Sequence, residues 1–260
     1  MAVSLLSVTV GATVFPCLQR YVDLGRKLSP GWVMMGSGPL GGGGRQVKGW
    51  PMKNRLITLV DLGLDSSFDA SMTFVQGITS NINAGWNRPV IDVNFVRTRD
   101  HETAFSALTT PSSVLHVMAH GDHSEEPSFL STDGQTQVSL TALADWFLDR
   151  SWGIASGVVI ADGCKTGIGK WQRAIRDCLQ DEITYIGTST VIGWYEATVF
   201  CSAFYGALVR NRGLGKSPAE QGWDAADRAI RAYETLTDSR CPYKPVLLTP
   251  SRRALRSLAG

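Results

Sequence analysis

Two apolar segments of this chain each end at a chemically reactive side chain. The segment 114–119 is followed by His120, and the segment 158–161 leads through Asp162 to Cys164. Short apolar runs of this kind predict buried strands. In an open parallel sheet, residues just past the carboxyl ends of the strands share one edge, where such sheets form their sites. We therefore expect an imidazole and a thiol to meet there, as a cysteine nucleophile and its base do.

The composition is that of a globular protein of enzyme size. The chain has 260 residues, of which 43% are hydrophobic and 18% charged, so it can bury a core without disulfides or a structural metal. Its net charge of +2 is too small to indicate binding to nucleic acid. No metal and no cofactor is predicted. Gly36, Gly38 and Gly41 match a dinucleotide fingerprint but are not embedded in a βαβ unit.

The cysteines and the apolar segments bear on localisation. The five cysteines are odd in number, widely spaced and without a CxxC pair, which is typical of reduced thiols. The apolar start of the chain lacks a basic segment and a clear cleavage site, so we do not expect a signal peptide. No uninterrupted apolar stretch reaches the roughly 20 residues of a membrane span. These features predict a cytoplasmic protein that does not associate with membranes.

The chain is predicted to divide near residue 54. Residues 1–53 include the glycine-rich stretch 36–44 and show no sustained periodicity. We interpret them as an N-terminal extension, either a loop-rich segment packed on the main domain or a regulatory arm. Its basic side chains would suit an anionic ligand; they are Arg20, Arg26, Lys27, Arg45 and Lys48. Residues 54–260 form the second predicted domain.

Candidate strands and helices alternate from residue 54 onwards. Strands are predicted at 56–60, 90–96, 113–119, 157–161, 183–187 and 244–248. Helices are predicted at 67–81, 101–108, 140–149, 168–179, 195–211 and 217–237. A polar hairpin with a turn at Asp133-Gly134 is expected within 122–139. This alternation predicts an α/β fold, with a mostly parallel sheet of about six strands and helices on both faces.

The order of these motifs resembles the caspase-like clan of cysteine peptidases, and within it the CHAT branch. His-Gly after one strand and Asp-Gly-Cys after the next resemble the catalytic dyad of the clan. Segments 126–134, 203–208 and 217–220 resemble a hairpin and two helix motifs of CHAT domains. CHAT domains often have Ser-Ala-Cys where this chain has Asp-Gly-Cys. The resemblance covers about residues 54–250 and implies a three-layer caspase-like sandwich.

The resemblance also implies a function, that of a cysteine endopeptidase and hence a hydrolase. Cys164 would be the nucleophile and His120 the general base and acid. The N–H groups of Gly121 and Cys164 would form the oxyanion hole, since a glycine lets its backbone approach the substrate closely. His116 lies mid-strand, roughly 13 Å from His120, and is expected to be a hydrogen-bonded core histidine. The same spacing argues against a zinc site of His116, His120 and His123.

Substrate preference follows from the residue two before the nucleophile, which in this clan commonly lines the pocket for the side chain preceding the cut. That residue is Asp162, with Glu196 as a second candidate acid and Trp194 as an apolar wall. A carboxylate there favours Arg, then Lys, at this position. The alternative is that Asp162 caps the following helix. Cys178 and Cys201, both on predicted helices, are expected to be small core side chains.

The resemblance extends to biological context. Similar small bacterial proteases act as effectors of antiphage defence, some of them switched on by a nucleotide signal made by a partner. Protein or peptide substrates are therefore expected, together with an activating small nucleotide or partner protein as a hypothesis. The oligomeric state and any need for self-cleavage stay open. Two alternatives remain: a catalytically inactive CHAT-like module for binding or scaffolding, and another thiol hydrolase or transferase.

Overall fold

The computed structural model describes residues 55–86, 89–122, 126–210 and 215–258. The predicted N-terminal extension, with its basic side chains, and His123 lie outside these residues. The strands are β1 (Arg55–Asp61), β2 (Ile91–Arg97), β3 (Ser112–Met118), β4 (His120–Asp122), β5 (Ser128–Leu130), β6 (Gln137–Ser139), β7 (Ser156–Asp162), β8 (Ile183–Thr188) and β9 (Tyr243–Leu248). The helices are α1 (Ser66–Ala84), α2 (His101–Thr109), α3 (Leu140–Leu148), α4 (Gly169–Arg176), α5 (Trp194–Arg210), α6 (Pro218–Thr237) and α7 (Arg252–Leu258).

The main sheet has six strands in the order β2-β1-β3-β7-β8-β9. The first five are parallel to their neighbours, and β9 is antiparallel to β8. This confirms the predicted α/β class with a mostly parallel sheet. Strand β2, which follows β1 in the chain, lies on one side of β1, and β3 lies on the other side. The boundary between β1 and β3 is therefore a topological switch point, where sheets of this kind form their binding crevices.

Two hydrophobic clusters cover the two faces of this sheet. Alternate residues of β3 show the division: Val114 and Met118 face a cluster with α1, α5 and α6. Leu115 and Val117 face a second cluster with α2, α3 and α4. This alternation is the period of a strand whose two faces are both buried. The result is the expected three-layer sandwich, with the strand ends left to form a site.

A second, small sheet forms where a polar hairpin was predicted. Strands β4, β5 and β6 are antiparallel. Gly134 lies at the predicted turn between β5 and β6, and its φ of +65° falls in the left-handed region that favours glycine. The strand predicted to run to Ala119 ends at Met118, because the chain leaves the main sheet there. The N–H of Ala119 donates to the carbonyl of Asp162 at 3.2 Å, and His120 then begins β4.

Helix boundaries largely follow the expected signals. Helix α6 begins with a capping box between Ser217 and Glu220, with Pro218 in its first turn. Helix α4 is shorter than predicted because it ends at Arg176 and Leu179 then pairs with Ile154. Helix α7 was not predicted. None of the described helices is long and apolar enough to span a membrane.

Candidate active site

His120 and Cys164 follow neighbouring strands of the main sheet. In the β3–β7 pair, Met118 lies opposite Asp162, so His120 and Cys164 are each two residues beyond a paired position. Cys164 is half-buried, and 43% of the His120 side chain is exposed. The predicted meeting of an imidazole and a thiol at this edge is therefore compatible with the strand register, and both side chains reach solvent.

The backbones of these two segments are in direct contact. A Cβ added to Gly121 would lie 2.2 Å from the carbonyl oxygen of Cys164, and one added to Gly163 would lie 2.5 Å from that of Ala119. Both distances are below the 3.0 Å that real Cβ atoms respect. Glycine at both positions thus permits a close crossing of the chain beside the thiol. The Gly121 and Cys164 backbones, which were predicted to form an oxyanion hole, are therefore neighbours in the structure.

The turn that carries Cys164 is held on several sides. The hydroxyl of Thr166 donates to the carbonyl of Ala161 at 2.6 Å, and that of Thr188 donates to the carbonyl of Gly163 at 2.5 Å. Lys165 adopts φ +55°, a conformation that non-glycine residues seldom hold without support, and its N–H donates to the carbonyl of Thr190 at 3.0 Å. Helix α4 begins only at Gly169, five residues after Cys164. The thiol is therefore positioned by this turn and not by the start of the helix.

His120 is held by a hydroxyl and a carboxylate that sequence reasoning missed. Its Nε2 lies 2.9 Å from Oγ1 of Thr132 and 3.9 Å from Oδ2 of Asp65. Thr132 Oγ1 lies in turn 3.1 Å from Asp65 Oδ2. The ring also packs edge-on against Phe68, with centroids 5.4 Å apart. The imidazole therefore has one nitrogen in a polar network and packs against an aromatic side chain.

The fold explains how Thr132 and Asp65 reach the histidine. Asp65 lies just past the carboxyl end of β1, across the switch point from β3, and Thr132 lies in the turn after β5. The N–H of Thr132 donates to the carbonyl of Gly63 at 2.8 Å, which joins the small sheet to the β1–α1 loop. The sequence did not single out Asp65, because β1 already ends at Asp61 and Asp65 lies in the loop that follows.

Asp162 is buried beneath this site. It is 5% exposed. Its Oδ1 accepts a hydrogen bond from the hydroxyl of Tyr243 at 2.6 Å, and its Oδ2 lies 3.4 Å from Nε2 of His116. The N-cap of α4 is Ile168, so the interpretation of Asp162 as a helix cap is wrong. His116 is 1% exposed, and its Nδ1 lies 2.8 Å from the Tyr205 hydroxyl, which confirms it as a hydrogen-bonded core histidine.

A small cavity of about 10 Å³ lies against the Asp162 carboxylate. It has room for about one water molecule. The residues that line it come from α1, α5, β3 and β7. They are Ser71, Phe74, Val75, His116, Asp162, Ala197, Thr198 and Cys201. An arginine side chain at Asp162 would therefore require these helices or their side chains to move apart.

The other two predicted pocket residues lie at the start of α5. Trp194 is 41% exposed and packs edge-on against Phe68, with centroids 4.7 Å apart, so it is linked to His120 through that ring. The carboxylate of Glu196 accepts a hydrogen bond from the N–H of Gly193 at 2.9 Å. Trp194 thus contacts the aromatic ring that packs against His120, whereas the Glu196 carboxylate turns back to the residue just before its own helix.

The four cysteines in the described residues are free, and three of them are buried. Burial raises the pKa of the Cys178 and Cys201 thiols well above the ordinary value, and raises that of Cys241 to about 11. Cys178 and Cys201 are 1% and 2% exposed, which confirms them as core side chains. Cys164 differs from all three in its exposure.

Two solved structures of bacterial proteases are similar to this chain. The first is a secreted C11 cysteine protease from Bacteroides thetaiotaomicron, iotapain, with a TM-score of 0.44 and 12% identity over 66% of this chain and 61% of that chain. The second is a secreted C11 cysteine protease from the same organism in complex with an irreversible peptide inhibitor, with a TM-score of 0.41 and 15% identity over 70% and 59%. The chain thus spans less than two thirds of either protease, and likenesses at this level carry no inference about activity.

No protein-family profile matches the chain, and no curated protein matches it.

Proposed function

We propose that this protein is a cysteine endopeptidase that uses a dyad of His120 and Cys164. One observation carries the proposal: the segment through His120 and Gly121 crosses the Cys164 turn in backbone contact, at the carboxyl edge of a parallel sheet. The thiol is half-buried, the imidazole is exposed, and the imidazole is held by Thr132 and Asp65. These are the parts of an activated nucleophile with an oriented base.

The contacts of the imidazole assign roles to its two nitrogens. When Nε2–H donates to Thr132 and the Thr132 hydroxyl donates to Asp65, Nδ1 carries the lone pair. Nδ1 then accepts the proton of the Cys164 thiol, and the thiolate attacks the carbonyl carbon of the scissile peptide. The resulting imidazolium lies 3.9 Å from the Asp65 carboxylate, which stabilises its charge. Asp65 acts here as a positioning residue.

The remaining steps use the same groups. The oxyanion of the tetrahedral intermediate would be stabilised by the N–H groups of Gly121 and Cys164. Its collapse breaks the C–N bond, and His120 gives its proton to the leaving amine. A water molecule, deprotonated by His120, then attacks the thioester, and the acid product leaves as the thiol is restored.

The proposed preference is for Arg, then Lys, before the cut, with Asp162 as the acidic residue and Trp194 as the wall. The buried carboxylate next to a cavity supports this assignment. A guanidinium would replace His116 as the partner of Asp162 Oδ2, in a cavity that must widen to admit it. Glu196 contributes less in this proposal, because its carboxylate already accepts from Gly193.

The biological setting belongs to the proposal as well. The CHAT assignment, the role as an effector in bacterial antiphage defence and activation by a nucleotide or a partner protein rest on the motif resemblance alone. A cytoplasmic location is supported by the unpaired state of Cys164, Cys178, Cys201 and Cys241. A regulatory role for residues 1–53 would appear as lost regulation in a chain that starts near Met52.

The decisive experiment uses the purified full chain and a peptidyl-arginine chloromethyl ketone, which alkylates the nucleophile with loss of chloride. We expect covalent labelling at Cys164, found by peptide mapping, and hydrolysis of fluorogenic peptides with Arg before the reporter. Cys164→Ala and His120→Ala should abolish both. Cys178→Ala is the matched control and should keep both.

Three outcomes would count against the proposal or a part of it. Full hydrolysis by Cys164→Ala would exclude the mechanism. A folded wild-type chain in which neither the ketone nor any peptide reacts, with or without added nucleotides, would favour the catalytically inactive module. A cleavage profile dominated by acidic or apolar residues before the cut would reject the role of Asp162 while leaving the dyad in place.

A further inference from the structure

The buried cluster of His116, Asp162 and Cys201 resembles a metal centre more than a second catalytic site. The three residue types are those of a Cys–His–Asp triad. However, His116 is 1%, Asp162 5% and Cys201 2% exposed, so no peptide bond can reach the thiol. A single ion can occupy such a space, because it needs only ligand atoms and room for about one small sphere.

The ligand atoms already face one another. One nitrogen of His116, one oxygen of Asp162 and the sulfur of Cys201 all lie within 4.8 Å of one another. The His116 Nε2 to Asp162 Oδ2 distance is 3.4 Å, which is long for a hydrogen bond. It matches the edge of a tetrahedron around Zn²⁺, about 3.3 Å for bonds of about 2.0–2.1 Å. The corresponding edge between a sulfur and a nitrogen or oxygen ligand is about 3.6 Å, so a movement of the Cys201 sulfur by at most roughly 1.2 Å would complete three ligand bonds.

The outer atoms of the ligands are held in the way that metal ligands require. The Nδ1 of His116 lies 2.8 Å from the hydroxyl of Tyr205, and the Oδ1 of Asp162 accepts from the hydroxyl of Tyr243 at 2.6 Å. Such outer partners fix the tautomer of a ligating histidine and the orientation of a ligating carboxylate. Tyr243 is itself clamped by Phe200, with ring centroids 4.0 Å apart. The site is therefore preorganised on its far side.

Charge and space also fit a divalent cation. Neutral His116, ionised Asp162 and the Cys201 thiolate would balance the charge of Zn²⁺, with the thiol proton released to solvent. The adjoining cavity of about 10 Å³ has room for one water molecule, which would be the fourth ligand. Ser71 and Thr198, which carry hydroxyl groups, border that cavity, and Thr198 is half-buried.

We infer that His116, Asp162 and Cys201 form a Zn²⁺ site with water as the fourth ligand. Binding of the metal would bring β3, β7 and α5 together through one ion. It would also engage the Asp162 carboxylate and fill the space that a cationic substrate side chain needs. Zn²⁺ would then inhibit cleavage after Arg, and this consequence alone rests on the proposed peptidase function.

The test measures the metal directly, with the Cys164→Ala chain so that the dyad offers no thiol. The chelator-stripped full chain is titrated with Co²⁺. We expect one equivalent to bind with a thiolate-to-cobalt charge-transfer band that Zn²⁺ then displaces. Cys201→Ala in the same background should lose the band, and Cys178→Ala, the matched buried cysteine, should keep it. Tyr243→Phe should keep the band but weaken binding by roughly 10- to 100-fold.

A second measurement guards against misfolded variants. X-ray absorption at the zinc edge of the loaded Cys164→Ala chain should show one sulfur with nitrogen and oxygen ligands, and it needs no substitution at the site. A cobalt complex without a thiolate band, or a band that survives Cys201→Ala, overturns the inference. Peptidase activity is measured separately on the wild-type chain. If the band is absent from the Cys164→Ala chain while the wild-type chain cleaves arginine peptides, only the metal site fails. If the band is present while the wild-type chain cleaves no peptide, only the proposed function fails.

Discussion

The Oγ1 atom of Thr132 lies 2.9 Å from Nε2 of His120, so a turn of the small antiparallel sheet orients the proposed base. The same hydroxyl lies 3.1 Å from Oδ2 of Asp65. The small sheet thereby supplies the group that connects the ends of β1 and β3 across the switch point.

Asp65→Asn and Thr132→Val should both slow peptide hydrolysis without weakening substrate binding. A hydrogen bond to a charged group is worth about 1.5–3 kcal/mol, so kcat should fall roughly 10- to 100-fold, with KM nearly unchanged. Thr132→Ser keeps the hydroxyl and should restore most of the rate. Asp69→Asn, which removes an exposed carboxylate on α1, is the control. Equal rates for Asp65→Asn and Asp69→Asn would show that the network does not orient His120.

Gly121→Ala should disrupt the site by backbone displacement. The new Cβ would lie 2.2 Å from the Cys164 carbonyl oxygen, so the two segments must separate by about an ångström. A displacement of this size costs roughly 10²-fold in rate. Gly206→Ala is the matched control, because a Cβ there meets nothing within 4 Å and alanine suits the helix interior. Thermal unfolding and kcat are measured for both variants. A Gly121→Ala chain with the kcat of the wild type would contradict the need for close contact between the Gly121 and Cys164 backbones.

Alkylation should separate Cys164 from the other cysteines in the described part of the chain. Burial raises the pKa of Cys178, Cys201 and Cys241, so near neutral pH these thiols stay protonated and unreactive in the metal-free chain. We expect iodoacetamide to modify Cys164 first in the native chain, as measured by peptide mapping. Labelling of Cys241 should increase as the pH rises towards its pKa of about 11. Faster labelling of Cys178 than of Cys164 at neutral pH would argue against the site.

The hairpin turn should lose stability in acid through Asp133. Hydrogen bonds from Ser131 and the Gln135 N–H, together with Arg99, lower the pKa of Asp133 to about 2. A carboxylate whose pKa is lower in the folded than in the unfolded chain stabilises the fold fully at pH values above its unfolded-state pKa. That contribution is lost as the pH falls towards its folded-state pKa. Asp133→Asn should therefore reduce the free energy of unfolding near pH 7 and have a smaller effect near pH 3.

Denaturant titrations at the two pH values measure this difference, with exposed Asp181→Asn as the control. An effect of Asp133→Asn that is the same at both values would show that the Asp133 contacts are not charge-dependent.

The sequence predicted the parts of the site that local patterns encode. Strand ends and glycines placed His120, Gly121 and Cys164 at one edge, because an apolar run shows where a buried strand stops. Asp65 and Thr132 were not predicted as site residues, because their role depends on how a loop and a turn meet across the switch point. No local sequence pattern encodes that contact. Likewise, the bend at Ala119 into a second sheet depends on a bond to the neighbouring strand.

The partners of Asp162 were also beyond sequence reasoning. His116 was expected to be hydrogen-bonded in the core, yet nothing in the sequence indicates that Tyr205, on α5, would be its partner. The nearness of Cys201 to the Asp162 carboxylate likewise depends on how α5 crosses the sheet. Periodicity assigns such residues to a buried face but does not say which of them meet.

The position of Tyr243 on the last strand of the sheet bears on the timing of synthesis. Its hydroxyl is a partner of Asp162, although 81 residues separate the two in the chain. A ribosome-bound chain that has already exposed His120 and Cys164 still lacks β9, so the carboxylate beneath the thiol has no Tyr243 to bind. The hydrogen bond that holds the Asp162 carboxylate can therefore form only late in translation, after every strand that precedes β9 has been synthesised.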